Sequence, residues 1–102
     1  MSVEKNEHFN RYKKTLITII HKRIPNCKIY LFGSRARGTN QPGADIDLAL
    51  ECKSIIDNTL LSKIQGDIDE TTIPLSIDLI DLRSASEILK NEVKKEGVLW
   101  KS

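Results

Sequence analysis

Gly33 and Ser34 follow directly on the apolar run Lys28–Phe32, and two aspartates, Asp45 and Asp47, stand two apart a short way downstream. A glycine straight after a strand lets the backbone turn sharply and approach a ligand, where exposed N–H groups and a serine hydroxyl grip phosphate oxygens. Two carboxylates spaced by two on a strand project from one face and share hard, oxygen-seeking cations such as magnesium. Such close like charges repel, and on an otherwise apolar strand that repulsion calls for a neutralising cation. Asp78 supplies a third carboxylate from another strand-like run, and the set would serve two ions roughly 3.5–4 Å apart. Asp81 is the alternative third position. Alternation of Leu75, Ile77 and Leu79 against Ser76, Asp78 and Ile80 favours Asp78. Phosphoryl and nucleotidyl transfer need such a site: one ion lowers the pKa of an attacking hydroxyl while the other stabilises charge on departing pyrophosphate. Arg35 and Arg37 flank the phosphate loop and are candidates to steady polyphosphate charge.

These residues require elements to hold them. Phe9, Tyr12, Leu16, Ile19, Ile20 and Ile24 recur at steps of three and four, which predicts a helix ending before Pro25. Lys28–Phe32 and Asp45–Glu51 read as strands. Ile56, Leu60, Leu61, Ile64 and Ile68 follow a helical period, and Leu75–Leu82 alternates as a third strand. Ser84-Ala-Ser-Glu87 has the form of a capping box opening a last helix through Ala85, Ile88, Leu89 and Val93, ended by Gly97. The order predicts an α/β or α+β fold, a small three-stranded sheet packed by helices.

Competing motifs fail on their own chemistry. Gly33 to Gly38 has Walker spacing, but Thr39-Asn40 stands where Lys-Ser/Thr is required. Asp67-Ile-Asp69 repeats the acidic pattern but falls in a helical period, where its carboxylates point apart. An EF-hand lacks its third oxygen ligand at Ala49. His8 and His21 belong to the first helix, away from any carboxylate cluster, and read as surface or packing residues. Cys27 and Cys52 lack CxxC spacing and read as free thiols. Trp100, with Val98 and Leu99, reads as packing for the last helix or a partner, and the Lys90–Lys95 stretch with Glu92 and Glu96 as a solvated helix face.

The chain's 102 residues point to one domain over 1–102, with little room for a separate acceptor-binding module. Sixteen basic and 14 acidic residues give a formal charge of +2, too small to argue for capture of nucleic acid or an anionic membrane. Without an apolar run long enough for a bilayer or a signal peptide, a cytoplasmic protein is expected.

The stretch Leu31-Phe-Gly-Ser-Arg-Ala-Arg-Gly, followed after the intervening loop by Asp45-Ile-Asp-Leu-Ala, resembles the minimal nucleotidyltransferases of the DNA polymerase β-like superfamily. Ser76-Ile-Asp-Leu-Ile-Asp81 looks like that family's third-carboxylate strand. The resemblance covers about half the chain and implies a role for each matched residue. Gly33 and Ser34 would contact the triphosphate, Asp45 and Asp47 would bind magnesium, and Asp78 would complete the site. It implies AMP transfer from ATP to a hydroxyl. Small members often pair with a helical HEPN-type protein, acting as antitoxin and in some systems adenylylating a tyrosine of the toxin, so a hetero-oligomer is expected. Two other readings stand beside this one: a non-catalytic partner that neutralises by occlusion, and nucleotide addition to a nucleic-acid end or small molecule.

Overall fold

Alternation and periodicity settle most of the elements in the structure, a computed structural model describing residues 3–102 and their side chains from Glu7 onward. Helix α1 covers Val3–Arg23, β1 Lys28–Phe32, and a one-turn helix α2 Ser34–Arg37. There follow β2 (Ile46–Glu51), α3 (Asn58–Asp69), β3 (Ile77–Asp81), a 3-10 turn (Leu82–Ser84), α4 (Glu87–Glu96) and β4 (Val98–Lys101).

The sheet is mixed and has four strands in the order β3-β2-β1-β4. β1 runs antiparallel to both β2 and β4, whereas β2 and β3 are parallel, joined by the α3 crossover. The fourth strand corrects the three-stranded expectation. Val98, Leu99 and Trp100 had read as packing for the last helix or a partner; Gly97 stops α4, and Val98, Leu99 and Lys101 pair with β1 as a strand. Tyr30 opposes Leu99 and Ile29 opposes Lys101, so Trp100 is the extra residue of a bulge. A bulge re-aims its side chain, and here the indole meets Phe9 of α1 edge to face, with centroids 6.0 Å apart.

Period-two alternation gives the sheet two unlike faces. Ile29, Leu31, Ile46, Leu48, Leu50 and Ile77 form one, buried against Leu16, Ile20 and Ile24 at the end of α1 and Ile64 and Ile68 of α3. The other carries Phe32 and Ala49, covered in part by Val93 of α4. Removing a side chain such as Leu16 or Ile64 from water contributes about 1.5–3 kcal/mol, so the larger core holds α1 and α3 on the sheet. Arg23 also donates to Asp67 across these helices at 2.6 and 3.3 Å, which holds the Asp67 carboxyl below its usual pKa. The decoy Asp67-Ile-Asp69 is thus helical, and Asp69 accepts from Gln65 within the same helix.

Two local expectations change. The N-cap of α4 is Ser86, whose hydroxyl accepts from Leu89 N–H at 3.2 Å, while Ser84 closes the preceding 3-10 turn. Asp81 drives the change, because its carboxylate accepts from Arg83 N–H and winds that turn ahead of the helix. Ala85 therefore lies outside α4, and Ile88 within it is exposed. Cys27 and Cys52, expected as free thiols, are joined in a disulfide. The hairpin register brings them together: Lys28 opposes Glu51, and the next pair outward is Cys27 and Cys52, with Cα atoms 4.3 Å apart.

Among the described residues no helix is long and apolar enough to cross a membrane.

Candidate active site

Where β1 ends at Phe32, Gly33 turns the chain into α2 with φ +76°, a left-handed conformation that L side chains rarely adopt. Space imposes the same choice, since a Cβ at this position would stand 2.5 Å from Asp47 Oδ2. Gly33 and the Asp47 carboxylate are therefore in direct proximity. Gly33 O accepts from Ala36 and Arg37 N–H. The Ser34 and Arg35 N–H groups, ahead of those two, have no acceptor within so short a helix, leaving donors beside the Ser34 hydroxyl.

Asp47 opposes Phe32 of β1 on one side and Asp78 of β3 on the other. Directly opposed residues point to the same face, so the parallel pairing sets the two carboxylates side by side. Asp45 lies one residue ahead of β2 and is exposed, tied in by Ile46 N–H, which donates to Ser76 O at 2.9 Å. Partial burial, then Asp78, Asp45 and Glu92, push the Asp47 carboxyl above its ordinary pKa, with Arg37 opposing weakly. Among the described residues none of the three carboxylates is in a salt bridge.

The other candidates separate by what already occupies them. Asp81, three residues beyond Asp78, lies on the opposite sheet face and is buried. It accepts from Ile56 N–H at 2.8 Å and Arg83 N–H at 3.1 Å, which is structural work. Arg35 donates through both Nε and Nη2 to Ala44 O, at 3.0 and 2.9 Å. Arg37 reaches Glu92 at 3.5 Å and Glu96 at 3.9 Å on α4. Those glutamates had read as part of a solvated face; periodicity showed them sharing a side, but not that α2 stands opposite. His8 and His21 are exposed on α1.

The donor set suits a hard divalent cation, being all oxygen, negatively charged and without a cationic partner of its own. Among the described residues no three metal-capable side chains yet converge into a cage. Magnesium is ordinarily held by one or two carboxylates together with substrate phosphates and water, so an open carboxylate edge beside a phosphate loop fits it. A hollow of about 510 Å³ under α4, lined by Tyr30, Glu51, Leu82, Lys90 and Leu99 among others, includes none of these carboxylates.

Comparison with known proteins identifies relatives of this chain. The chain is 36% identical over 91 residues to the protein adenylyltransferase MntA of Shewanella oneidensis, a match covering 83% of this chain and 62% of that protein. The chain thus spans about three fifths of that relative's length. A crystal structure of a toxin-antitoxin with AMP-PNP superposes with TM-score 0.74 at 31% identity, covering 86% of this chain and 71% of that one. A structure of tri-AMPylated Shewanella oneidensis HEPN toxin in complex with MNT antitoxin gives TM-score 0.70 at 28% identity, over 89% and 70% of the two chains. Residues 14–102 match the family described as polymerase beta, nucleotidyltransferase, whose members generally use a divalent metal. That match covers most of the chain, and the chain belongs to the polymerase beta nucleotidyltransferase family.

Proposed function

We propose that this chain transfers AMP from ATP to a hydroxyl on a partner protein, a tyrosine of a HEPN-type toxin, and so acts as its antitoxin in a cytoplasmic hetero-oligomer. The observation that carries the reading is the position of Asp47, between the Gly33-Ser34 turn and Asp78. The residues proposed to hold triphosphate and metal are there within reach of one another. The match to the Shewanella adenylyltransferase and the likeness to HEPN toxin complexes support the donor and the partner.

In this mechanism Ser34 and the N–H groups at the Gly33 turn hold triphosphate oxygens, and Arg37 leaves Glu92 and Glu96 to meet the polyphosphate. Asp45, Asp47 and Asp78 are the residues that would hold magnesium, two ions in the full complement. Bound there, the metal would neutralise charge around the α-phosphate and lower the pKa of the attacking hydroxyl. Asp78, next to Asp47, orients that hydroxyl and accepts its proton. A bond forms from the acceptor oxygen to the α-phosphorus, the α–β bridging bond breaks, and pyrophosphate departs.

The test is transfer from α-phosphate-labelled ATP with magnesium, using the purified chain alone and with the product of its adjacent gene, against Asp45→Asn. Label on the neighbouring protein that vanishes in the variant is the expected result. Tight binding of the two proteins with no transfer would instead establish neutralisation by occlusion.

A further inference from the structure

Arg35 belongs to the phosphate loop by sequence, yet its side chain turns away to the loop that precedes the first aspartate. Both Nε and Nη2 donate to the single carbonyl oxygen of Ala44. The guanidinium also lies over the Phe9 ring, 5.4 Å from its centroid. Phe9 in turn meets Trp100, whose ring has Lys13 Nζ 5.7 Å from its centroid. Arg35 is thus held by groups from α1 and the following loop, with the β4 bulge supporting the ring beneath it.

The Ala44 carbonyl and the Asp45 N–H belong to one rigid peptide plane. Two donors on that oxygen, with Ala44 N–H bonded to Gln41 O at 3.1 Å, fix the plane from which the Asp45 side chain departs. Downstream, Ile46 N–H is tied to Ser76 O. Asp45 itself is exposed and lies outside β2, so strand pairing alone leaves its upstream side unheld. We propose that Arg35 is a positioning residue, which sets Asp45 for its metal through the Ala44 carbonyl instead of binding the triphosphate. Arg37, half exposed and held among the described residues only by long contacts to Glu92 and Glu96, is the arginine free to meet phosphate.

The inference rests on the proposed metal-dependent transfer, and its test reads binding instead of turnover. The full chain is titrated with manganese(II), followed by water-proton relaxation, and separately with ATP in excess EDTA. Arg35→Met should weaken manganese binding about tenfold, the size of effect that groups orienting a metal ligand commonly have, and leave metal-free ATP affinity within about twofold. Arg35→Lys keeps the charge but not the fork, so it should not restore manganese affinity. The reverse pattern, unchanged manganese affinity with weakened ATP binding, overturns the proposal and makes Arg35 a phosphate ligand. A wild-type chain that binds no manganese, with or without ATP, overturns the transfer reading itself. A readout on the unaltered protein needs no variant: the Arg35 Nε–H resonance should stay protected and unmoved as ATP is added. Its displacement by ATP would sink the idea.

Discussion

Asp47 is the residue at which the proposed function and stability oppose each other. Its raised pKa comes first from burial, then from Asp78 and Asp45, so in the metal-free protein the ionised form is disfavoured by folding. For a carboxyl whose folded-state pKa is raised, the stability contribution is full below the unfolded-state pKa and is lost as pH rises through the folded value. Asp47→Asn should therefore raise the melting temperature of the metal-free chain at neutral pH while abolishing transfer. Water reaches the group and screens the repulsion, so the gain is at most about 1 kcal/mol, roughly 4–8 °C in a domain of this size. Magnesium should raise the melting temperature of the wild type and not of the variant. A drop in metal-free stability on Asp47→Asn would show that the carboxylate holds structure instead. Asp78 and Asp81 make a second contrast. Asp81→Ala leaves the buried Ile56 N–H without its acceptor, which costs about 1–3 kcal/mol in thermal or urea unfolding and leaves manganese affinity intact. Asp78→Asn should do the opposite, sparing stability and removing transfer.

At the scale of elements, the β1–β2 hairpin carries the site. One end presents Gly33, Asp45 and Asp47; the other is closed by Cys27 and Cys52, separated by 25 positions in sequence. The ring so closed encloses the whole phosphate loop and both aspartates of the first motif. By loop entropy, opening it should cost about 3.5 kcal/mol, measurable as a fall in urea midpoint on adding dithiothreitol and absent in Cys27→Ser/Cys52→Ser. Glutathione keeps cytosolic thiols largely reduced, but the hairpin pairing positions the two cysteines whether or not they are bonded. The site itself lies at the opposite end, so transfer should persist in the reduced chain at temperatures where it stays folded.

Across the whole molecule, helices cover one face of the sheet fully and α4 covers the other in part, leaving the carboxylates accessible to a large acceptor. β4 forms one edge, with Val98 and Leu99 about half exposed at 44% and 49%. Apolar groups on an unpaired strand edge suit a protein partner, and the proposed toxin must approach the chain somewhere near its catalytic face. Leu99→Lys should weaken partner binding about tenfold or more by isothermal titration without changing ATP affinity, since burying an unpaired charge in an interface is costly. Unaltered partner affinity would move the interface off this edge.

Local chemistry made much of this legible before any fold was seen. Alternation in Ile46–Glu51 and Ile77–Asp81, the step of three and four in α1 and α3, and glycine at the end of β1 all act over a few residues. The faces of each element and the Gly33-Ser34, Asp45 and Asp47 motif could therefore be read from the chain. The short Val98–Lys101 segment carries no such pattern, and it became a strand because β1 offered an open edge. What the tertiary structure alone decided is which distant groups meet: Asp78 beside Asp47, Asp81 beneath Ile56, Arg35 on Ala44, Arg37 against α4, and Cys27 opposite Cys52. Each depends on strand register or helix placement. Those are set by long-range packing of one buried face against another, which periodicity within an element does not encode.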